Sequence, residues 1–221
     1  FFTVTWQDGR FFGSLIDVLN RGAPVAILAI GVTAVIATKG VDLSVGAVMA
    51  ISGAVAAVMV STGTPATIAI PVALLAGLVC GFWNGVLVTY LDIQPIIATL
   101  VLMVAGRGLA QLITEGSIVT FSDPLLSYIG TGSLLGLPMP VIIALVLMIV
   151  TTLAVRRTAL GLLIEAVGVN RSAARFAGIS SRLLLLLVYS FAGFCAAIAG
   201  LVVAGDIRGA DANNAGLWLE L

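Results

Sequence analysis

The chain has 221 residues, ten of them Lys or Arg, ten Asp or Glu, and none His. Apolar residues make up 61% and charged residues 9%, with a mean hydropathy of +1.23, whereas a soluble domain carries about 25% charged residues. This balance argues against a water-soluble enzyme and against a disordered chain, and without imidazole the chain alone cannot build Ser-His hydrolysis, HExxH zinc chemistry or His-ligated haem.

A membrane span needs about 20 apolar residues, so the length allows about six or seven passes. Residues 1–20 mix Trp6, Asp8, Arg10, Asp17 and Asn20 with aromatics and read as an interfacial segment. The first apolar run, 22–38, is interrupted at 39–44, and the second covers 45–60. A turn cluster at 61–65 leads to a third run, 66–91, which Asp92 and Pro95 break. The fourth run, 96–114, contains Arg107. Residues 115–137 are polar and glycine-rich, a loop with room for a short helix. The fifth run, 141–155, follows Pro138 and Pro140, the segment 156–182 is polar and basic, and the sixth run is 183–204 before a polar end. The expectation is one all-α domain over 1–221, a polytopic transmembrane helix bundle with about six spans. Because it begins at Phe1, the chain reads as a fragment or a trimmed product.

Orientation follows from the basic residues of short loops. Arg156, Arg157, Arg171, Arg175 and Arg182 put 156–182 in the cytoplasm. Alternating outward from there, Lys39 also falls inside, while Arg10, Arg21 and Arg208 fall outside. The parity requires 39–44 to be a true turn; a re-entrant break would flip everything before it.

Small residues recur every four positions at Ala73, Gly77, Gly81 and Gly85, and again at Ala192, Ala196, Gly200 and Ala204. Such stripes let helix backbones approach closely, within one bundle or between subunits. Cys80 and Cys195 lie in apolar runs and read as packing residues. No catalytic, metal-binding or cofactor-binding pattern is visible. Lys39 is the only lysine and no GxxxxGK[ST] surrounds it, so energy for any active transport must come from another subunit or a gradient. Acids only at span ends or in loops weigh against proton coupling.

Within 156–182, Asn170 is a suitable N-cap and Gly178 a suitable residue past a helix end, predicting a two-turn helix over 171–177. Arg171 and Arg175 share one face of it. The helix is either a basic patch on anionic lipid or a dock for a cytoplasmic partner. Elsewhere, Asp42 and Ser44 could cap the second run. Arg107, Gln111 and Glu115 form a stripe that either snorkels to the interface or lines a polar mouth. Asn84, beside the glycine stripe, suits an interhelical hydrogen bond or a substrate contact.

The stretches Gly40-Val-Asp42-Leu-Ser44-Val-Gly46, Gln94-Pro-Ile-Ile-Ala-Thr-Leu100, Gly106-Arg107-Gly108-Leu-Ala-Gln111, Glu165-Ala-Val-Gly168-Val-Asn170-Arg-Ser-Ala173-Ala174-Arg-Phe-Ala-Gly178 and 206–216 together resemble the permeases of ribose-type ABC sugar importers. The resemblance covers essentially the whole chain, and the stretch 206–221 is similar to the galactofuranose permeases of that family. It implies a bacterial inner-membrane permease of about ten spans, each of about 20 residues, of which this chain lacks the first and several at the end. It makes 156–182 the coupling loop, carried by Glu165, Gly168, Asn170, Arg171, Ala173, Ala174, Arg175 and Gly178. Translocation-path candidates are Asp42, Ser44, Asn84, Gln94, Arg107 and Gln111, with Gly77, Gly81, Gly85, Ala196 and Gly200 as helix packing. Implied partners are a cytoplasmic ABC ATPase, a second permease (copy or homologue), a periplasmic sugar-binding protein, a monosaccharide such as galactofuranose, and membrane lipid, with no nucleic acid. A same-fold permease for another solute and a gradient-driven carrier are the rival expectations.

Overall fold

The structure, a computed structural model, describes residues 3–7, 10–213 and 215–216; the segment 217–221, part of the resemblance above, lies outside the described residues. In chain order the elements are β1 (Thr5–Gln7), β2 (Arg10–Phe12), α1 (Ser14–Ala37), α2 (Val45–Ser61), α3 (Ala66–Thr89), α4 (Pro95–Ile113), β3 (Val119–Thr120), α5 (Pro124–Thr131), β4 (Ser133–Leu134), β5 (Leu137–Pro138), α6 (Met139–Arg157), α7 (Leu160–Val169), α8 (Arg171–Phe176), α9 (Ser181–Ile207) and β6 (Gly209–Ala210). The fold is an all-α bundle trimmed by two-residue and three-residue strands. The loop 115–137 contains the short helix α5, whose N-cap Asp123 accepts hydrogen bonds from the N–H groups of Leu125 and Leu126 at 2.8 and 2.9 Å.

Among the described residues, five helices are long and apolar enough to cross a membrane: α1, α3, α4, α6 and α9, of 24, 24, 19, 19 and 27 residues. The second apolar run, 45–60, behaves differently. Helix α2 has 17 residues, about 26 Å at 1.5 Å per residue, short of a hydrocarbon core of about 30 Å. Every residue from 45 to 54 is buried, as expected for a helix apolar on all sides and enclosed by protein. The missing length is supplied by the connector 38–44, which enters the bundle without helical structure. Backbone out of regular structure is tolerated at this depth only where protein surrounds it.

Helix α9 is the hub. It packs against α1, α2, α3 and α5, largely through small residues. A Cβ on Gly77 would lie 2.5 Å from the Ala197 Cβ, and one on Gly81 would lie 2.3 Å from the Tyr189 carbonyl oxygen. One on Gly85 would meet the Leu186 Cα at 3.1 Å, and one on Gly200 the Met49 carbonyl oxygen at 2.4 Å. The stripe on α3 therefore faces α9 inside this chain, while Ala196 is fully buried in the cluster shared by α1, α2, α6 and α9.

The same contacts give the helix directions. Gly31 lies against Ala192 and Cys195 and Gly40 against Tyr189, so α1 runs antiparallel to α9. Gly200 meets Met49, and Gly53 meets Gly200 and Ala204, so α2 runs parallel to α9. The connector 38–44 is thus a true reversal, and the alternation of sides stands. Lys39, Arg156, Arg157, Arg171, Arg175 and Arg182 gather at one end of the bundle. The hairpin β4–β5, the β3–β6 pair and Arg208 lie at the other.

Candidate buried polar track and coupling face

Three of the polar residues picked from the sequence meet inside the bundle. Asp42 Oδ1 accepts hydrogen bonds from the Ser44 N–H at 2.9 Å and the Ser44 hydroxyl at 2.6 Å. Asn84 Nδ2 donates to Ser44 Oγ at 2.8 Å. Asp42, Ser44 and Asn84 are 6%, 1% and 0% exposed. Ser44 occupies the N-cap position of α2 yet makes no side-chain cap bond. The capping expectation is corrected: its hydroxyl links α3 to the connector, and Asp42 takes the N–H instead. A carboxylate beside a helix start is favoured by the helix dipole. Asn84 thus makes the interhelical hydrogen bond that its position beside the glycines suggested. Its Oδ1 and the hydroxyl of Ser52 are buried without a hydrogen-bond partner. Ser52 was missed in the sequence because a lone serine in an apolar run gives no signal.

Gln94 is not part of this cluster. It is exposed at the N-cap of α4, at the basic end. Arg107 and Gln111 lie elsewhere too. Beyond β6 the chain turns back into the bundle until Gly216 lies against Gly46 at the start of α2. Arg107 Nη1 donates to the carbonyls of Ala212 and Ala215, and Gln111 Nε2 donates to Asn213 Oδ1 at 2.8 Å. Arg107 is half-buried, so the snorkelling expectation is corrected: the guanidinium satisfies the carbonyls of a returning turn and does not reach out to the interface.

At the basic end, Asn170 Oδ1 accepts hydrogen bonds from the N–H groups of Ser172 and Ala173 at 3.0 and 3.1 Å, starting α8. The helix closes with the Gly178 N–H on the Arg175 carbonyl and the Ile179 N–H on the Ala174 carbonyl, both at 3.0 Å. This paired closure requires a residue at positive φ, and Gly178 has φ +85°. Helix α7, which the sequence reading did not separate from the loop, precedes α8 and joins it to α1. A Cβ on Gly168 would lie 2.0 Å from the Ala37 carbonyl oxygen, and Lys39 Nζ donates to the Val169 carbonyl at 3.1 Å. Ala174 is buried against Val167, Leu184 and Leu185. It and Gly168 hold the loop to the bundle and are not open to a partner. Glu165, Arg171, Ala173, Arg175 and Gly178 are exposed, and Phe176 is 91% exposed.

The sequence profile of the family described as branched-chain amino acid transport system / permease component matches residues 14–221. The chain belongs to this family. It is 62% identical over 221 residues to the galactofuranose transporter permease protein YtfT of Escherichia coli (strain K12), covering all of this chain and 65% of that protein. It is 42% identical over 228 residues to the fructose import permease protein FruF of Bifidobacterium longum (strain NCC 2705), covering all of this chain and 64% of that one. With the ribose import permease protein RbsC of Escherichia coli (strain K12) it shares 36% identity over 224 residues, 99% of this chain and 70% of the relative. The chain spans about two thirds of the length of these curated relatives. No solved structure matches it. The resemblance to ribose-type permeases holds, and with five helices among the described residues long and apolar enough to cross a membrane, the chain is part of a multi-pass inner-membrane permease, a class of transport components that are not themselves enzymes.

Proposed function

We propose that the protein is the membrane-spanning subunit of a bacterial ABC importer that moves a monosaccharide inward, and that the sugar is galactofuranose. The observation that carries the sugar is the 62% identity to YtfT, which extends over the whole chain. Ribose and fructose are the alternatives that the more distant relatives bring.

In this reading 156–182 is cytoplasmic, and α8 sits on an ABC ATPase subunit. The exposed Ala173 and Ala177 give it a smooth face for that contact, with Glu165, Arg171, Arg175 and the Gly178 turn around it. Movement of α8 passes to α7, and through Gly168 and Lys39 to the end of α1. From there it reaches the connector that carries Asp42 and Ser44 and the start of α2. The open hydrogen-bonding groups of Asn84 and Ser52 beside α2 suit sugar hydroxyls once that connector shifts. A periplasmic binding protein delivers the sugar at the opposite end, and a second permease, copy or homologue, completes the path.

Reconstitution of the full-length permease with its ATPase and binding protein tests this. Galactofuranose should stimulate ATP hydrolysis and vanadate-sensitive uptake more than ribose or fructose does. Vanadate-resistant uptake would mean a gradient-driven carrier, and a stronger response to ribose or fructose would reassign the sugar.

A further inference from the structure

A pocket of about 290 Å³ lies at the basic end, between α8, the last turn of α3 and the first turn of α9. Arg171, Arg175 and Arg182 line it, with Asp92 the one acidic residue among its lining. Its floor is apolar, with Val88 and Leu185. The Ser181 hydroxyl at its edge is buried and has no hydrogen-bond partner. Ser181 is also the first residue of α9, a 27-residue helix whose start carries no side-chain cap; its N–H is taken by the Ile179 carbonyl, and the N–H groups of the rest of the first turn add positive potential at the same place.

We infer that this pocket binds the phosphate headgroup of an anionic phospholipid from the adjoining leaflet. Three guanidiniums, a hydroxyl and an uncapped helix start together offer donors to phosphate oxygens, and arginine forks match that geometry. The lipid origin follows from the surroundings. The pocket sits at the ends of α3 and α9, two helices long and apolar enough to cross a membrane, and the ends of such helices fall in the headgroup layer. Tyr90, 58% exposed, holds the Arg182 guanidinium over its ring at 5.8 Å from the centroid, and the exposed Phe176 lines the same pocket. Aromatic and basic residues together mark that layer, and basic pockets between spans on this side bind anionic headgroups. Ala173 and Ala177 are exposed but do not line the pocket. Helix α8 therefore keeps one face for a partner and turns another toward the lipid, which ties it to α3 and α9. The inference stands whichever sugar is carried.

The test uses the full-length permease assembled with its ATPase in nanodiscs of phosphatidylcholine doped with photoactivatable phosphatidylglycerol. Crosslinks should map to 171–185. Arg182→Gln and Ser181→Val should each reduce that labelling, the first roughly fivefold, the weight of one surface arginine on an anionic leaflet. Arg182→Lys should restore most of it, and copurifying ATPase at wild-type level should show that each variant is assembled. Excess inorganic phosphate should leave the labelling intact. Three results would overturn the proposal: labelling unchanged in both variants; labelling abolished by inorganic phosphate, which would mean a free anion; or Arg182→Gln releasing the ATPase with lipid labelling unchanged, which would mean an acidic partner segment.

Discussion

Lys39 Nζ donates to the Val169 carbonyl at 3.1 Å, so the chain's one lysine joins the end of α1 to the end of α7. With Gly168 packed on the Ala37 carbonyl, this bond forms a strut between the loop 156–182, proposed above to meet the ATPase, and the connector that carries Asp42. Lys39 is exposed, so its loss should cost stability by no more than about 1 kcal/mol. Lys39→Met should leave the melting temperature and basal ATP hydrolysis near wild type while raising the ATP consumed per sugar taken up. An unchanged ratio would remove the strut from the coupling path.

The two alanines of α8 should separate docking from folding. Ala173 is exposed and Ala174 is 4% exposed. Ala173→Glu should preserve membrane insertion and thermal stability but lose the ATPase on copurification. Ala174→Glu would bury a charge among Val167, Leu184 and Leu185, at a cost of several kcal/mol, and should lower folded yield itself. Normal copurification and uptake in Ala173→Glu would exclude that position from the interface.

Glycine substitutions give a graded readout of helix packing. A Cβ at Gly81 meets the Tyr189 carbonyl oxygen at 2.3 Å, while one at Gly108 on α4 meets nothing within 4 Å. Gly81→Ala should destabilise by about 1–3 kcal/mol through overpacking. Gly108→Ala should be neutral or slightly stabilising, since alanine favours a helix. Thermal melts of the purified permease measure both, and equal melting temperatures would place the α3 stripe away from α9.

Asp42 should tolerate a conservative change better than truncation. Asp42→Asn keeps an acceptor for the Ser44 N–H and hydroxyl, whereas Asp42→Ala leaves both buried donors open, a cost of about 1–3 kcal/mol. Chemical denaturation of the two variants should rank them in that order. Equal, small losses would show that the connector is held by its backbone alone.

Arg107→Leu frees the carbonyls of Ala212 and Ala215 that the guanidinium now satisfies. The turn 211–216 should loosen, so a cysteine placed at Asn213 should react faster with thiol reagents. Uptake should fall while the ATPase still copurifies. Unaltered reactivity would mean that the turn is held by Gln111 and backbone packing.

Features encoded by neighbouring residues could be read before the fold was seen. The apolar runs became helices, and Asn170 and Gly178 marked α8 to within one residue, because a cap and a closing turn involve residues two to five apart. Contacts between distant residues could not be read. Lys39 and Val169 are 130 positions apart, and Arg107 and Ala212 are 105. Nothing local tells a lysine which carbonyl it will find. Helix α2 shows another limit: an apolar run looks the same whether its neighbours are lipid tails or alanines, so length was the one hint that it is enclosed. Glycines spaced by four predicted close approach, and the structure adds the partner helix.

Every bond that starts and stops α8 lies between residues 170 and 179. Its shape is therefore independent of how α1, α3 and α9 are arranged around it. A force arriving there has nothing soft to unwind, and the segment behaves as a stud on a lever: it can be pushed or tilted but absorbs little of the stroke. What gives way must lie outside it, and residues 41–43 of the connector, just past the Lys39 strut, lie in no helix and offer no helical hydrogen bonds to resist.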